Sequence, residues 1–576
     1  MPNRPYLGKS VPDGVTMYRP HISGKNGAVS SNSPYASSAG IEILKQGGNA
    51  ADAAVAISLA LGVVEPFHSG IGGGCFQMFY HKDTDTFWGV DARGVAPLNA
   101  YQDMFLDKDG NVDLDLTEFS GRSATAPPLY RAMDALLKKY GTMTWSQVSA
   151  PAIRLCREGF KCGFTYARIA NTPEAEHNRD AYEGFSDLYL TKGKPRSFGE
   201  TITNPALADT MEAVAKEGVD WFYNGVIADE IVNCCRRYEG LLTKEDMVKC
   251  GPKIRPPVKG TYRGYDIVSV APPSSGGAHI IQMLNILENF DIGNMGHFSA
   301  DSTHLLAETM KLMFADRSVA MGDPDFVDVQ IGKIISKEYA KELAAKIDMT
   351  AAQEFSPTGS IEAKEYPGAT THFSVMDKFG NVLVQTQTIR NWWGCGVVIP
   401  GRGFIMNNAM ADFSPKVGVR TTQGLAYGMA NAIRPGKTPL SSMSPTMVFK
   451  DGTPFLAVGC AGGPRIITST LLMIVNAIDF GMMMEANESS PFMCCLTKEQ
   501  GLELEGGYSP DTMDILKKRG HNIFYTTDFG ILLIMPNGIM RIDDTFFPSG
   551  TGRTDGGGGA LTEFGTVALA GLTFER

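Results

Sequence analysis

The sequence passes from a loop composition to a strand-like pattern within the stretch Tyr366-Pro367-Gly368-Ala369-Thr370-Thr371-His372-Phe373-Ser374-Val375. A loop with Pro and Gly runs into two threonines, and apolar and polar residues then alternate as far as Asp377. Lys378-Phe379-Gly380-Asn381 has the composition of a turn, and an extended pattern resumes over residues 382–388. The stretch therefore predicts a β-hairpin in which Gly380 takes a positive φ. Its first strand is expected to open on a threonine that follows an exposed loop.

A cut between Ala369 and Thr370 would turn Thr370 into an N-terminal residue. Its hydroxyl would be a nucleophile, and its own α-amino group would be the nearby base. A pair of threonines at a strand start is, however, far more often a sign of β-propensity alone. The local pattern leaves both interpretations open.

The composition is that of a large soluble protein with an acidic balance. The chain has 576 residues, of which 43% are hydrophobic and 20% charged. A chain of that length can bury a large core and can form several domains. The net charge is −10 and the isoelectric point is near 5.5. No basic stripe offsets this charge, which disfavours a nucleic-acid partner.

The beginning of the chain predicts a cytoplasmic protein. Residues Met1 to Gly24 are polar and lack the apolar run that a secretory signal requires. The most apolar windows, residues 50–64 and 471–484, are too short to span a bilayer and carry polar residues. Both windows predict buried helices.

The cysteines and histidines show no spacing typical of a metal site. None of the ten cysteines forms a CxxC pair, and the nine histidines are spread thinly, so no zinc site and no cofactor are expected. Buried reduced thiols are the favoured interpretation. The cysteines are Cys75, Cys156, Cys162, Cys234, Cys235, Cys250, Cys395, Cys460, Cys494 and Cys495.

Periodicity and turn residues predict further elements along the chain. Helices are expected over 37–46, 50–63, 129–140, 278–289, 301–321, 330–349 and 466–478, and strands over 76–80, 87–93, 446–450 and 454–458. Residues 129–320 are expected to be mostly helical scaffold. The glycines at 72–74 predict a tight turn into a core strand rather than a dinucleotide loop, because no helix follows them.

Two features outside the hairpin have the chemistry of anion binding. Arg93 follows an apolar run and precedes a loop bounded by Pro97; such an arginine is usually part of a structural ion pair, although its planar fork also suits a carboxylate. Gly462 and Gly463 follow a predicted strand and open a predicted helix, so their N–H groups can face an anion or an oxyanion. A close-packed turn explains the two glycines equally well.

Residues 368–381, Gly-Ala-Thr-Thr-His-Phe-Ser-Val-Met-Asp-Lys-Phe-Gly-Asn, resemble the cleavage and nucleophile motif of the γ-glutamyltransferase (glutathione hydrolase) family. The resemblance continues, in family order, in Gly47–Ala53, Pro272–Gly277, Pro439–Thr446 and Gly462–Ile467. It implies an α/β fold, the four-layer αββα sandwich of N-terminal nucleophile hydrolases. It also implies a large segment, 1–369, and a small segment, 370–576, that remain one intertwined domain after self-cleavage.

The resemblance implies a role for each matching residue. Thr370 is expected to be the nucleophile, freed by a cut after Ala369, and Thr388 its hydrogen-bonding partner. Gly462 and Gly463 are expected to form an oxyanion hole, while a substrate carboxylate is held by Arg93, Ser441 and Ser442. The implied partners are a small amide substrate with a carboxylate and a water or amine acceptor, with no membrane and no metal.

The sequence departs from the family where the family holds a substrate α-ammonium with an asparagine, a glutamine and an aspartate. Arg390 and Ala409 stand at the asparagine and glutamine positions, and only Asp412 remains. An arginine cannot accept a hydrogen bond from an ammonium and repels its charge. It can neutralise Asp412 or bind a second carboxylate. Three hypotheses stay open: a γ-glutamyl hydrolase or transferase, an amidohydrolase or acylase for substrates without the α-amino group, and an uncleaved binding scaffold.

Overall fold

A computed structural model of the chain describes residues 22–355, 368–416, 418–419, 425, 428–525, 534–562 and 567–569. The predicted exposed loop before the hairpin and most of the polar leader lie outside the described residues. Within them, no helix combines the length and the apolar character needed to cross a membrane.

The described chain contains strands and helices throughout its length. The strands are β1 Gly27–Ser31, β2 Gly74–His81, β3 Thr86–Ala92, β4 Phe160–Lys161, β5 Thr201–Ile202, β6 Lys253–Arg255, β7 Val258–Tyr262, β8 Tyr265–Ser269, β9 Gly368–Asp377, β10 Val382–Asn391, β11 Val398–Ile399, β12 Phe404–Ile405, β13 Thr446–Lys450, β14 Thr453–Gly459, β15 Met493–Cys495, β16 Leu502–Leu504, β17 Ile523–Tyr525, β18 Asn537–Ile542, β19 Thr545–Gly550, β20 Gly557–Leu561 and β21 Val567–Leu569. The α-helices are α1 Pro34–Lys45, α2 Ala50–Val64, α3 Leu114–Glu118, α4 Leu129–Tyr140, α5 Trp145–Glu158, α6 Phe164–Ile169, α7 Pro173–Ala181, α8 Phe185–Tyr189, α9 Pro205–Glu217, α10 Val219–Asn224, α11 Val226–Arg237, α12 Lys244–Lys249, α13 Gly276–Leu287, α14 Ile292–Met295, α15 Ala300–Ala320, α16 Ile331–Ile334, α17 Lys337–Ala344, α18 Arg465–Ile478, α19 Met484–Ser489 and α20 Pro510–Lys518. Within the described residues, 3₁₀ helices span Gly121–Ser123, Ala409–Asp412 and Met429–Asn431.

Two antiparallel sheets form the middle of the molecule. One has eight strands in the order β21-β20-β1-β9-β10-β2-β3-β6, and the other has six in the order β19-β18-β14-β13-β8-β7. The sheets face each other through contacts of β9 and β10 with β14. Helices α1 and α2 pack on the eight-stranded sheet, and α13 and α18 pack on the six-stranded sheet. The predicted four-layer αββα sandwich is confirmed.

Helix α2 shows how the helical layer approaches the eight-stranded sheet closely. All 15 residues of the helix are buried, and many are alanines. Its N-terminus is closed by a capping box between Asn49 and Asp52, which satisfies backbone N–H groups that the helix leaves without partners. Asp377 Oδ2, at the turn of the predicted hairpin, accepts a hydrogen bond of 2.9 Å from the Ala50 N–H. The hairpin is therefore tied to the start of this buried helix.

The hairpin forms as predicted, with Gly380 at a φ of 87°, but its first strand begins earlier. Strand β9 starts at Gly368, and Ala369 pairs with Arg390 of β10. Ala369 and Thr370 are 0% and 5% exposed. The expectation that the strand opens on a threonine is wrong, because the strand begins at Gly368 and the Ala369–Thr370 bond lies inside it.

A β-bulge interrupts the pairing of β10 next to this bond. The register shifts between Gln387 and Arg390, so Thr388 and Ile389 together lie opposite Thr370. Arg390 has a φ of 84°, which is uncommon for a residue with a side chain and typical of functional sites. Gly73 permits the close approach of the neighbouring strand, since a Cβ there would lie 2.3 Å from the Thr388 carbonyl oxygen.

Several other sequence predictions meet the structure with small differences. The predicted helix over 330–349 is two short helices, α16 and α17, because residues 335–336 break the periodic pattern. The apolar window 471–484 is only partly helical, since α18 ends at Ile478 and α19 begins at Met484. The ten cysteines are buried free thiols, as predicted.

Both sheets combine strands that precede Thr370 with strands that follow it. In the eight-stranded sheet β1 lies between β20 and β9, and β10 lies next to β2. In the six-stranded sheet β8 pairs with β13. Each sheet therefore needs strands from both sides of the Ala369–Thr370 bond.

Candidate active site

The Thr370 hydroxyl lies at the centre of a small hydrogen-bonded group. Its Oγ1 is 2.7 Å from the carbonyl oxygen of Ala369 and 3.2 Å from Thr388 Oγ1. Thr388 Oγ1 accepts a hydrogen bond of 2.7 Å from the Arg390 N–H and donates to the same Ala369 carbonyl oxygen. The bulge in β10 thus brings Thr388 to Thr370, and the Ala369 carbonyl lies within reach of both hydroxyls.

The neighbouring threonine has a different environment. Thr371 Oγ1 donates to Glu65 Oε2 over 3.0 Å and accepts from Asn32 Nδ2 over 3.0 Å. Because its hydroxyl proton is held by a carboxylate on the helix side of the sheet, Thr371 anchors the strand. The structure therefore distinguishes the two threonines of the motif, which the sequence alone does not.

His372 is a candidate base only by residue type. Its ring nitrogens lie 2.9 Å from Thr386 Oγ1 and 3.1 Å from Ser374 Oγ. Burial lowers the pKa of the imidazole to about 3, so the ring is neutral at physiological pH. His372 is a structural residue of the sheet interface, where it packs on Gly459.

Gly462 and Gly463 follow β14 and precede α18, as predicted. Their φ angles are 130° and 61°, values that favour glycine. Among the described residues, neither N–H group donates a hydrogen bond. Strand β14 packs against β9, which carries Thr370. The two glycine N–H groups therefore lie just after the strand that faces the Thr370 strand.

Arg93 is buried at the end of β3 and reaches two groups that come from elsewhere in the chain. Its Nη1 donates to Ser441 Oγ over 3.0 Å, and its Nη2 donates to Asp412. Its Nε is buried and has no partner within the described part of the chain. The backbone N–H of Arg93 is held by Asp91 Oδ1 at 3.2 Å. Arg93 therefore combines a fixed position with one donor that is still available.

Arg390 is 3% exposed and is engaged along its whole guanidinium group. Its Nε donates to Asp412 Oδ1 over 2.9 Å, its Nη1 donates to Glu118, and its Nη2 donates to the Ala411 carbonyl over 3.2 Å. Of the two alternatives that the sequence left open, the structure shows the pairing with Asp412. Ala409 lies at the start of the 3₁₀ helix that carries Asp412.

Asp412 stands between the two arginines. Burial raises the pKa of its carboxyl, but the charges of Arg93 and Arg390 outweigh that effect and hold the pKa below the ordinary value. The buried set of Arg93, Arg390, Asp412 and Glu118 contains two positive and two negative groups. Such a balance offsets part of the cost of burying charged groups away from water.

Ser441 and Ser442, predicted to act together, contact different arginines. Ser441 accepts from Arg93, whereas Ser442 Oγ accepts from Arg317 Nη2 over 3.0 Å. Arg317 lies on α15, and its Nε donates to Ser275 Oγ over 2.8 Å. Ser441, but not Ser442, is thus hydrogen-bonded to Arg93. Ser442 is held instead by Arg317, a second buried arginine.

Glu118 and Arg317 were missed by the sequence analysis. Glu118 ends the short helix α3 and accepts hydrogen bonds from Arg390, Asn391 and Asn408. Its neighbours in the sequence show no periodicity or motif. The unmatched charge of Arg390 in a buried strand was the one available signal, because such a charge requires an acidic partner.

The four-layer αββα sandwich of two antiparallel sheets between helical layers is the fold of the N-terminal nucleophile hydrolases. The profile of the gamma-glutamyltranspeptidase family matches residues 36–557. The glutathione hydrolase proenzyme of Escherichia coli K12 is 41% identical over 503 residues, which cover 87% of this chain and 86% of the relative. The chain belongs to the gamma-glutamyltranspeptidase family and is an enzyme of that family.

Similar proteins carry two kinds of name. The acylase ACY 1 proenzyme of Pseudomonas sp. SE83 is 36% identical over 507 residues, covering 87% of this chain and 88% of the relative. The crystal structure of cephalosporin acylase from Bacillus halodurans has a TM-score of 0.84 at 28% identity and covers 95% of this chain and 97% of that one. These names together support a hydrolase or acylase of the γ-glutamyltransferase type.

Proposed function

We propose that this chain is a self-processing amidohydrolase or acyltransferase that uses Thr370 as an N-terminal nucleophile. One observation carries the proposal: the Thr370 hydroxyl lies beside the carbonyl of Ala369, which also receives the Thr388 hydroxyl. A carbonyl with hydrogen-bond donors on its oxygen is a better electrophile, because negative charge develops on that oxygen during attack.

Maturation begins when Thr370 Oγ1 attacks the carbonyl carbon of Ala369. The C–N bond breaks, the Thr370 nitrogen takes a proton and becomes an amine, and an ester joins Ala369 to the Thr370 oxygen. Water then hydrolyses the ester. The products are a carboxylate at Ala369 and a free N-terminal threonine with its hydroxyl restored.

The mature site acts on an amide in the same way. The free amine of Thr370 takes the hydroxyl proton as the oxygen attacks the substrate carbonyl, and it returns a proton to the leaving amine. The N–H groups of Gly462 and Gly463 hold the oxyanion; a donor of this kind typically lowers a barrier by ~3 kcal/mol. The acyl group then passes from Thr370 to water or to an amine acceptor.

The preferred acyl group carries a carboxylate and lacks an α-ammonium. Arg93 and Ser441 supply donors for a carboxylate, and the buried Nε of Arg93 is available. The opposite applies to an ammonium, since Asp412 is already shared by two arginines. An ammonium would have to displace one of them and meet the charge of the other.

A γ-glutamyl donor is the second candidate. The relatives named glutathione hydrolase and acylase each match 87% of this chain. Asp412 stands at the aspartate position of the family's ammonium site. An uncleaved binding scaffold is the third, and it requires that Thr370 stay inside the chain. Cleavage and donor preference therefore separate the three candidates.

Cleavage is tested with purified wild type, Thr370→Ser and Thr370→Ala. Wild type should resolve into pieces of about 40 and 22 kDa, apportioning 62.2 kDa by chain length, and the smaller piece should begin Thr-Thr-His-Phe-Ser. Thr370→Ser keeps a hydroxyl and should still be cut, whereas Thr370→Ala should remain one inactive chain. Cleavage of the alanine variant at the same bond would rule out self-processing.

A further inference from the structure

A cluster of three buried metal-ligating side chains lies away from the active site, beside helix α15. His304 and Glu308 are four residues apart on that helix and share one of its faces. His521 follows helix α20, with its Nε2 2.7 Å from His304 Nδ1 and 4.0 Å from Glu308 Oε1. One nitrogen or oxygen from each residue lies within 4.8 Å of the others.

Neighbouring groups orient two of these side chains. His304 Nε2 lies 2.8 Å from the Asp348 carbonyl oxygen, which requires the proton on that nitrogen and leaves the Nδ1 lone pair directed at His521. Glu308 Oε2 accepts a hydrogen bond of 3.1 Å from the Gln353 N–H, while its Oε1 is the oxygen that faces His521 and is paired with Lys311. Support of this kind, from a backbone group behind each ligand, is typical of metal-binding histidines and carboxylates.

We propose that His304, Glu308 and His521 bind one divalent transition-metal ion. Two imidazoles and a carboxylate form a donor set that suits Zn²⁺, with ligand distances of about 2.0–2.2 Å and a fourth position for water. Ligands of one tetrahedral ion lie about 3.4 Å apart. From the present distances of 2.7 Å between the rings and at most 4.8 Å between any two ligand atoms, the rings must separate by about 0.7 Å and the carboxylate must approach by up to about 1.4 Å. Side-chain rotation supplies shifts of that size.

Lys311 competes with the metal for Glu308. Its Nζ lies 2.7 Å from Glu308 Oε1, and the residue is 2% exposed. Lys311 also donates to the Gln353 carbonyl, so it keeps a partner when the carboxylate turns to a metal. A nearby positive charge disfavours a cation, and Lys311 therefore lowers the affinity of the site without removing it.

The ligands come from both sides of the Ala369–Thr370 bond. His304 and Glu308 belong to the segment before Thr370, and His521 belongs to the segment after it. A bound ion would join the two segments directly, and its binding energy would add to their association.

Zinc binding tests the proposal on protein treated with EDTA and then dialysed. Titration of wild type with Zn²⁺, followed by calorimetry, should show one equivalent bound and a raised melting temperature. His521→Gln and the nearly isosteric Glu308→Gln should each weaken binding at least about 100-fold. The control His177→Gln removes an exposed histidine and should bind as wild type does.

Lys311→Met is expected to change Zn²⁺ affinity in the opposite direction to the ligand variants. A gain in affinity cannot be explained by a variant that only disturbs folding. Removing the competing ammonium should tighten Zn²⁺ binding by about tenfold. Failure of wild type to bind a stoichiometric ion overturns the proposal, as does a full equivalent retained by both His521→Gln and Glu308→Gln. None of these measurements depends on cleavage at Thr370 or on amide hydrolysis.

Discussion

The two arginines that share Asp412 differ in how completely their guanidinium groups are satisfied. Arg390, in the bulge of β10, donates from Nε, Nη1 and Nη2 to two carboxylates and a carbonyl. Arg93, at the end of β3, donates to Asp412 and Ser441, and its buried Nε has no partner among the described residues. Arg390 has the environment of a structural residue, and Arg93 has that of a binding residue.

The difference shows how a binding arginine can be recognised without a bound ligand. Burying a donor without a partner costs about 1–3 kcal/mol, and a structural position has no reason to retain that cost. A group that meets a ligand in the working enzyme does have one. Arg93 is therefore the arginine expected to affect catalysis, and Arg390 the one expected to affect stability and donor choice.

The largest effect is expected from Arg390→Met, because it leaves two buried carboxylates with one cation. Breaking a buried ion pair typically costs ~3–5 kcal/mol. Arg402→Met is the control: Arg402 pairs with Glu230 at 2.6 Å at a half-buried site, and its loss should cost about 1 kcal/mol or less. Urea-unfolding midpoints in the uncut Thr370→Ala chain measure both. Equal losses of unfolding free energy in the two variants would show that the buried ion pairs of Arg390 do not stabilise the fold more than a partly exposed pair does.

The next largest effect concerns donor preference. Arg390→Asn and Ala409→Gln, combined with Glu118→Gln so that no carboxylate loses its cation, should recreate acceptors for an ammonium. Two added polar contacts to a charged group correspond to ~2–4 kcal/mol, a hundredfold or more in relative kcat/KM for γ-glutamyl over des-amino donors. Matched anilide substrates measure this ratio. A wild type that already prefers γ-glutamyl donors would contradict the proposed substrate class.

Arg93→Lys is expected to have a smaller effect that is confined to turnover. Lysine keeps the charge but loses the planar fork, so kcat/KM for carboxylate-bearing substrates should fall by ~10- to 30-fold, about 1–2 kcal/mol. Self-cleavage should proceed at the wild-type rate, because no substrate carboxylate takes part in it. A parallel loss of cleavage and turnover would assign Arg93 a structural role instead.

The smallest effect is a pH dependence that belongs to Asp412. Its pKa in the folded protein lies below the ordinary value of 3.8, so the ionised carboxyl stabilises the fold above that pH, and the contribution is lost as the pH falls through the lower folded value. The difference in unfolding free energy between wild type and Asp412→Asn should be constant from pH 8 to 5 and should shrink below 3.8. A change centred near neutral pH would show that another group is responsible.

The sequence was informative where a local pattern controls local structure. Alternation and turn residues predict the hairpin of β9 and β10, and the Gly462-Gly463 pair predicts the passage from β14 to α18. The resemblance to a family also predicted that Thr388 would reach Thr370. In these cases the residues that decide the conformation lie close together in the chain or in a recognisable motif.

The buried ion pairs among Arg93, Arg390, Asp412 and Glu118 could not be predicted in the same way, because these residues are distant from one another in the sequence. Glu118 and Arg390 are separated by 272 residues, and nothing near Glu118 marks it as buried. The pairing of Ser442 with Arg317 was missed because Arg317 lies on helix α15, which the sequence analysis treated as scaffold. Long-range ion pairs depend on how the layers pack, and packing is not contained in any single stretch of sequence.

The presence in both sheets of strands from before and after Thr370 has a consequence for the order of events. While the chain is intact, the Ala369–Thr370 bond acts as a tether that keeps each segment at a high effective concentration near the other. Folding is then a first-order process, and no search between separate chains is needed. In the proposed self-cleavage, the tether is removed when the strands already hold each other, so assembly does not depend on the concentration of the enzyme.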